Sequence, residues 1–311
     1  MRTLLLYLSR SEWMQRTTMR FGFFRRAAAR FVAGNTCEDT LPAVRALSEE
    51  GYPITLNQLG EAVSAEAEAV KATEDYLDTV EQMAAAGLRA GGIAVKLTQL
   101  GLDLGQDFCA SNLQRILAKA KAHGIFLGVD MEESAYVDST LAIYRQFYPE
   151  YESLRVCLQA YLHRSQDDLR QLIEEGGQIR PVKGAYKEPA EIAMPRKSDV
   201  DANLIAMVRM VLEGTAGATR EPRPYLSLAS QDPAIIEATK SYAAELGLPK
   251  DAYEFQMLHG IRRDLQQQLL AEGYTMRIYV PFGTEWYPYF MRRLAERPAN
   301  VWFLVSNMLR G

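Results

Sequence analysis

Eight short runs of β-branched and aliphatic residues punctuate this chain, each followed by an amphipathic stretch, and that alternation restricts the fold more than any other feature. The runs are residues 53–59 (PITLNQL), 92–97 (GIAVKL), 125–130 (IFLGVD), 154–162 (LRVCLQAYL), 178–183 (QIRPVK), 225–229 (YLSLA), 252–257 (AYEFQM) and 276–281 (MRIYVP). Most are apolar throughout their centres, as strands covered on both faces must be. The intervening stretches read as helices, most clearly at 65–86, 111–123, 232–246 and 264–272. Gly87, Gly124, Gly176 with Gly177, Gly247 and Gly273 stand where helix C-caps belong. With the helix opening at Trp286 as the last, these strand-then-helix units predict an α/β fold, a (β/α)8 barrel of the TIM type. A doubly wound open sheet is the competing architecture. It ranks second because no G-x-G-x-x-G and no phosphate-binding loop follows any run. Residues 185–200 are too polar and Pro-rich for a helix and read as a long loop after the fifth strand.

Composition enters where it excludes functions. The chain has 311 residues, 48% of them hydrophobic, enough for a large core. A net charge of −4 gives no basis for nucleic-acid binding. Cys37, Cys109 and Cys157 are scattered, with no C-x-x-C, which suits a reducing, cytoplasmic compartment. His123, His163 and His259 lack ligand spacing, so no metal is expected. No apolar run reaches the ~18 residues of a membrane span. The first 34 residues carry seven arginines against Glu12, interleaved with Trp13, Phe21, Phe23, Phe24 and Phe31. This basic amphipathic helical segment either packs on the domain or lies on an anionic membrane surface. The expected division is therefore residues 1–50 as N-terminal segment and 51–311 as catalytic barrel.

Chemistry in such a barrel belongs at the C-terminal ends of the strands. Polar residues at or near those ends include Glu61, Lys96, Asp130, Gln159, Arg180, Lys183, Gln231 and Tyr279. Cations within buried strands are costly unless matched, so Lys96, Arg180 and Lys183 point to an anionic ligand in the mouth. On the last helix, Trp286, Phe290 and Leu294 form an apolar stripe, while Arg292, Arg293 and Glu296 share the face of Tyr289. Two adjacent guanidinium groups over the mouth make a double fork for a small carboxylate.

Several stretches then match a known family. RPVKGAY (180–186), EFQMLHG (254–260), RIYVPFG (277–283) and the R-R-x-x-E helix at 292–296, with VKL at Lys96 and VDMEE at Asp130, resemble the proline dehydrogenase family over residues 50–305. PRKSDVDAN (195–203) resembles its monofunctional bacterial branch. The resemblance implies a distorted barrel with FAD as cofactor, oxidising L-proline to Δ1-pyrroline-5-carboxylate and passing electrons to a membrane quinone. It implies that Lys96, Arg292 and Arg293 hold the substrate carboxylate. Tyr279, Leu258 and Tyr186 line the ring, Asp130 orients Tyr279, and Glu296 joins the site. It further implies FAD contacts from Gln159, Arg180, Val182, Lys183, Gly184 and Ala185. The family's Thr-His-Asn after strand six is here Ser230-Gln231-Asp232, so Gln231 is at most a neutral contact. Its aromatic residue after VKGAY is here Lys187. Glu61, a strand-end carboxylate, is expected to pair with Arg292 as a gate in the empty enzyme. Two other readings compete: a Schiff-base lyase using Lys96 or Lys183, and a non-enzymatic membrane-surface module built on the basic segment.

Overall fold

The computed structural model describes residues 28–60, 62–88, 91–219 and 221–296, with side chains up to Met291. The basic stretch at 1–27, Glu61, and the side chains of Arg292, Arg293 and Glu296 lie outside the described residues.

The described elements begin with helix α1 (Cys37–Glu49), followed by strand β1 (Ile54–Gln58) and helix α2 (Glu66–Ala85). Next come β2 (Gly92–Val95), a one-turn 3-10 helix (Leu97–Leu100), α3 (Gln106–Ala122), β3 (Phe126–Val129) and α4 (Val137–Phe147). Then follow β4 (Leu154–Gln159), α5 (Ser165–Glu174), β5 (Gln178–Val182), α6 (Lys197–Gly217), β6 (Tyr225–Ala229) and α7 (Pro233–Glu245). The series closes with β7 (Tyr253–Leu258), α8 (Arg263–Ala271), β8 (Thr275–Phe282) and α9 (Trp286–Glu296). The strands pair in parallel in sequence order, and β8 pairs with β1 to close an eight-stranded barrel. Every run picked out in the sequence overlaps one of these strands; β7 and β8 extend past their runs, by Leu258 in one and by Thr275 and Phe282 in the other. Gly87 and Gly247, just beyond α2 and α7, take φ of 76° and 66°, the left-handed turn that ends a helix without a Cβ clash.

Register shows how the strands divide their residues. Cα partners such as Thr55 with Tyr279, Gly128 with Arg155, Cys157 with Arg180 and Ser227 with Glu254 share one face, and the two-residue period assigns their neighbours to the other. The outer face carries Ile93, Val95, Leu127, Val129, Val156 and Ile179, all buried. The inner face does not match the expectation of strands apolar on both sides. It carries an ion cluster in which Glu254 of β7 meets Arg155 of β4 and Arg277 of β8. Both guanidinium carbons sit over the Phe126 ring, at 4.1 and 4.5 Å. Small neighbours make room for that ring: a Cβ on Gly92 would come within 2.2 Å of it. Alternating apolar and polar residues therefore read as continuously apolar only where the inward positions are Gly, Ala or Cys.

A second, smaller cluster forms at the C-terminal end of the barrel. Ala28, Phe31 and Val32 join Trp286, Tyr287, Phe290 and Met291 of α9, with Leu59 beyond β1 and Ile261 beyond β7. Backbone bonds tie this arm to β8: Ala33 N–H donates to the Pro281 carbonyl at 3.0 Å, and Gly283 N–H to the Gly34 carbonyl at 2.9 Å.

Candidate active site

Residues from three non-adjacent strands meet inside the barrel at its C-terminal end. Asp130, immediately after β3, pairs with the Arg180 guanidinium of β5. Its second oxygen accepts a hydrogen bond from the Tyr279 hydroxyl of β8 at 2.6 Å. Arg180 also lies over the Tyr279 ring, 5.5 Å from its centroid. Strands 3, 5 and 8 share no ladder, so only inward-pointing side chains can close this triad. Burial, then the adjacent Asp130 carboxylate, raises the Tyr279 phenol pKa well above its ordinary value. Tyr279 is thus a neutral donor at any physiological pH.

Around the triad, Lys96 follows directly on β2 and its Nζ donates to the Gly60 carbonyl at 3.3 Å. Gln159 ends β4 and pairs in register with Val182. Gln159 Nε2 donates to the Met131 carbonyl at 3.3 Å, while its buried Oε1 finds no donor among the described residues. Beyond β5 the backbone turns at Gly184, φ 111°, where a Cβ would come within 2.2 Å of the Tyr161 ring. Ala185 is exposed and Tyr186 half-buried in the loop that follows, and Lys187 is exposed. Ser134 N–H, donating to Glu188 at 2.7 Å, ties that loop to the segment after β3. Leu258 ends β7 and packs against the α9 cluster.

Lys183 Nζ lies 2.6 Å from Asp201 of α6 and 2.8 Å from Asp232. Asp232 also caps α7, accepting from Ala234 N–H at 3.2 Å. Gln231 is half-buried beside this cap.

This corrects one step of the sequence reading. Arg180 and Lys183 had implied an anionic ligand because no partner was visible; each has carboxylate partners inside the protein, Asp130 for one and Asp201 with Asp232 for the other. Among the described residues Lys96 is in salt-bridge range of no carboxylate. The pairing of Arg180 with Asp130 spans fifty positions, and nothing in a local pattern reveals which carboxylate crosses a barrel to meet a given cation. The sequence reading also passed over Glu132, buried two residues past Asp130. Its oxygens accept from Thr98 N–H at 3.1 Å and Thr98 Oγ1 at 2.6 Å. The signal was the second acidic residue of VDMEE, placed where a strand has just left the barrel.

The arrangement is a polar, cation-bearing mouth with an aromatic donor, suited to a small ligand carrying one carboxylate. A family sequence model described as "Proline dehydrogenase" matches residues 40–306. "Proline dehydrogenase 1" of Bacillus subtilis is 38% identical over 311 residues, all of this chain and 99% of that protein. "Proline dehydrogenase" of Deinococcus radiodurans is 42% identical, covering 91% of this chain and 90% of that one. Among solved structures, proline utilization A from Bdellovibrio bacteriovorus, inactivated by N-propargylglycine, superimposes with a TM-score of 0.81 at 25% identity, over 88% of this chain and 33% of that one.

Proposed function

The chain belongs to the proline dehydrogenase family, of the monofunctional bacterial type, and from that premise we propose that it oxidises L-proline to Δ1-pyrroline-5-carboxylate with FAD as cofactor and a membrane quinone as final acceptor. The observation that carries the reading is the Asp130–Arg180–Tyr279 triad at the C-terminal end of the barrel; Lys96 follows β2 at that same end, and Leu258 of β7 packs there against the cluster that includes α9.

The residues fit a flavin on two observations: the donorless Oε1 of buried Gln159, and the Gly184 turn that only a residue without Cβ can make against Tyr161. In this reading Gln159, Arg180, Val182, Lys183, Gly184, Ala185 and Gln231 hold FAD, and the bound flavin supplies the two-electron acceptor. Lys96, Arg292 and Arg293 clamp the substrate carboxylate, with Glu296 on the same helix face. Tyr279, Tyr186 and Leu258 bound the ring. Asp130 fixes the Tyr279 hydroxyl and so the direction of that wall. Arg180 reaches a cofactor only through the donors its ion pair with Asp130 leaves over, since a guanidinium carries five. Glu61 pairs with Arg292 until substrate displaces it. Localisation follows from the quinone: a cytoplasmic protein that meets the membrane surface peripherally through its basic segment. Among the described residues no helix is long and apolar enough to cross a membrane.

Lys183 does not fit the Schiff-base alternative. A nucleophilic lysine is activated by apolar or cationic neighbours, and this one sits between two carboxylates.

The test is an absorption spectrum of the purified protein before and after anaerobic L-proline. A flavin band that bleaches on addition is expected. A colourless protein, or a band indifferent to proline, overturns the assignment.

A further inference from the structure

The 3-10 turn Leu97–Leu100 begins at the residue after Lys96, and Lys96 is its N-cap, in extended conformation with φ −107° and ψ 130°. All four residues of the turn are buried. Each is held by a side chain from elsewhere. Cys109 Sγ donates to the Leu97 carbonyl at 3.4 Å, and Asn112 Nδ2 to the Leu100 carbonyl at 3.0 Å. Tyr76 of α2 donates its hydroxyl to Gln99 Oε1 at 2.6 Å. Glu132 takes both the amide and the hydroxyl of Thr98.

These contacts are unequal. Three are single bonds, whereas the fourth is two-pronged, with both oxygens of one buried carboxyl group accepting from Thr98. Glu132 is 6% exposed and no salt bridge to it occurs among the described residues. Burial raises its carboxyl pKa, opposed by the two Thr98 bonds and by the charge of nearby Lys96. A buried carboxylate with so little compensation is costly, and a neutral amide would cap one donor at smaller cost. Two acceptor oxygens are required only if both Thr98 donors must be fixed at once.

Fixing them matters because of Lys96. Its ammonium sits at the end of four rotatable bonds, so its position depends on the peptide planes from which the side chain departs. One of those planes runs directly into the turn. We propose that Glu132 is the positioning residue of the substrate clamp: by gripping Thr98 it fixes the turn that follows Lys96 and so sets where the Lys96 ammonium meets the substrate carboxylate. This rests on the reading above that Lys96 contacts that carboxylate.

Four variants of the flavin-loaded protein decide it: Thr98→Val, Thr98→Ser, Glu132→Gln and Lys96→Met, each measured for kcat and KM with L-proline, flavin content and Tm. Thr98→Val keeps the shape and removes the hydroxyl. It is expected to raise KM about tenfold, the scale of losing one buried hydrogen bond, with kcat and flavin content near wild type. Thr98→Ser restores the hydroxyl and is expected to return KM to within about twofold, the scatter of a neutral change. A lowered Tm or flavin content in Thr98→Val with KM unchanged means the bond is merely structural and overturns the proposal, as does a Thr98→Ser variant that fails to recover. If Thr98→Val does not accumulate folded, Glu132→Gln is read by the same KM criterion. Lys96→Met separates the two layers. If it raises KM while Thr98→Val and Glu132→Gln do not, the positioning role fails and the clamp stands. If Lys96→Met leaves KM unchanged, the clamp assignment fails and the positioning role falls with it.

Discussion

Asp130 carries more at the scale of single residues than any neighbour, because one carboxylate satisfies both a buried guanidinium and a phenol. The two halves of that load are unequal. Removing the carboxylate strands Arg180 as an unmatched buried cation, a loss of about 3–5 kcal/mol. Removing the phenol hydroxyl breaks one bond to a charged acceptor and costs about 1.5–3 kcal/mol. Asp130→Ala should therefore destabilise more than Tyr279→Phe in urea titrations of the flavin-loaded protein; the reverse order would mean the ion pair is not what holds the triad. The proposed double fork on α9 is tested at the same scale. Arg292→Met and Arg293→Met should each weaken proline binding by at least ~2 kcal/mol, the scale for leaving a buried ionic partner unmatched. An unchanged KM in either variant would remove that arginine from the clamp. The places of Lys96 and Asp130 just past β2 and β3, and of Tyr279 within β8, were legible because the strands were. The partnerships were not. Pairing across a barrel depends on the rotamers of distant side chains, and nothing local marks Asp201 and Asp232 as the partners of Lys183.

Element by element, all eight strands were legible, since each is a short run with an apolar centre, β-branched in six of them and aliphatic or aromatic in β6 and β7, bounded by turn residues. What the pattern concealed was the interior. The Glu254 cluster joins β4, β6, β7 and β8 with contributions from Arg155, Ser227 and Arg277. In sequence those residues are single polar letters within apolar words. The cluster has a consequence for pH. Burial works against the Glu254 charge, but Arg155 and Arg277 outweigh it and hold its carboxyl at about 2, below the ordinary 4.5. A carboxylate depressed in the folded state contributes stability that is complete above its unfolded value and fades as protonation proceeds. The stabilisation is therefore present above about pH 4.5 and lost as pH falls towards 2. Glu254→Gln abolishes this titration. Its Tm should be lower than wild type at neutral pH, with the gap narrowing between about pH 4.5 and 2. A constant gap across that window would show that the cluster does not titrate as a unit. Helix α1 was less legible, although Thr36 accepting from Asp39 N–H at 3.1 Å, with Glu38 and Asp39 in the first turn, is an ordinary helix start.

At the scale of the whole molecule, the described residues form two hydrophobic clusters rather than one, and the smaller holds the proposed substrate helix. The barrel core is closed by ladders on every strand, whereas α9 is held largely by the arm at 28–34 and by residues just beyond β1 and β7. Contact is close: the Arg30 carbonyl comes so near Gly260, φ 73°, that a Cβ there would lie 1.9 Å from it. An element packed this way should open without the barrel, since local opening follows local contact density. Phe31 is the arm's large anchor, 4% exposed with its ring centroid 6.2 Å from that of Phe290. Truncating a buried Phe costs about 3–5 kcal/mol, more than a single helix docked at one rim can absorb. In Phe31→Ala, amides of α9 and of the segment at 33–34 should therefore lose hydrogen-exchange protection together, while those of β3 to β6 keep theirs. The loss of an ordered α9 should also raise KM for proline, because the two arginines travel with the helix. Protection lost uniformly, barrel strands included, would mean that arm, helix and barrel form one cooperative unit, and α9 would then have no independent freedom with which to admit or release a substrate.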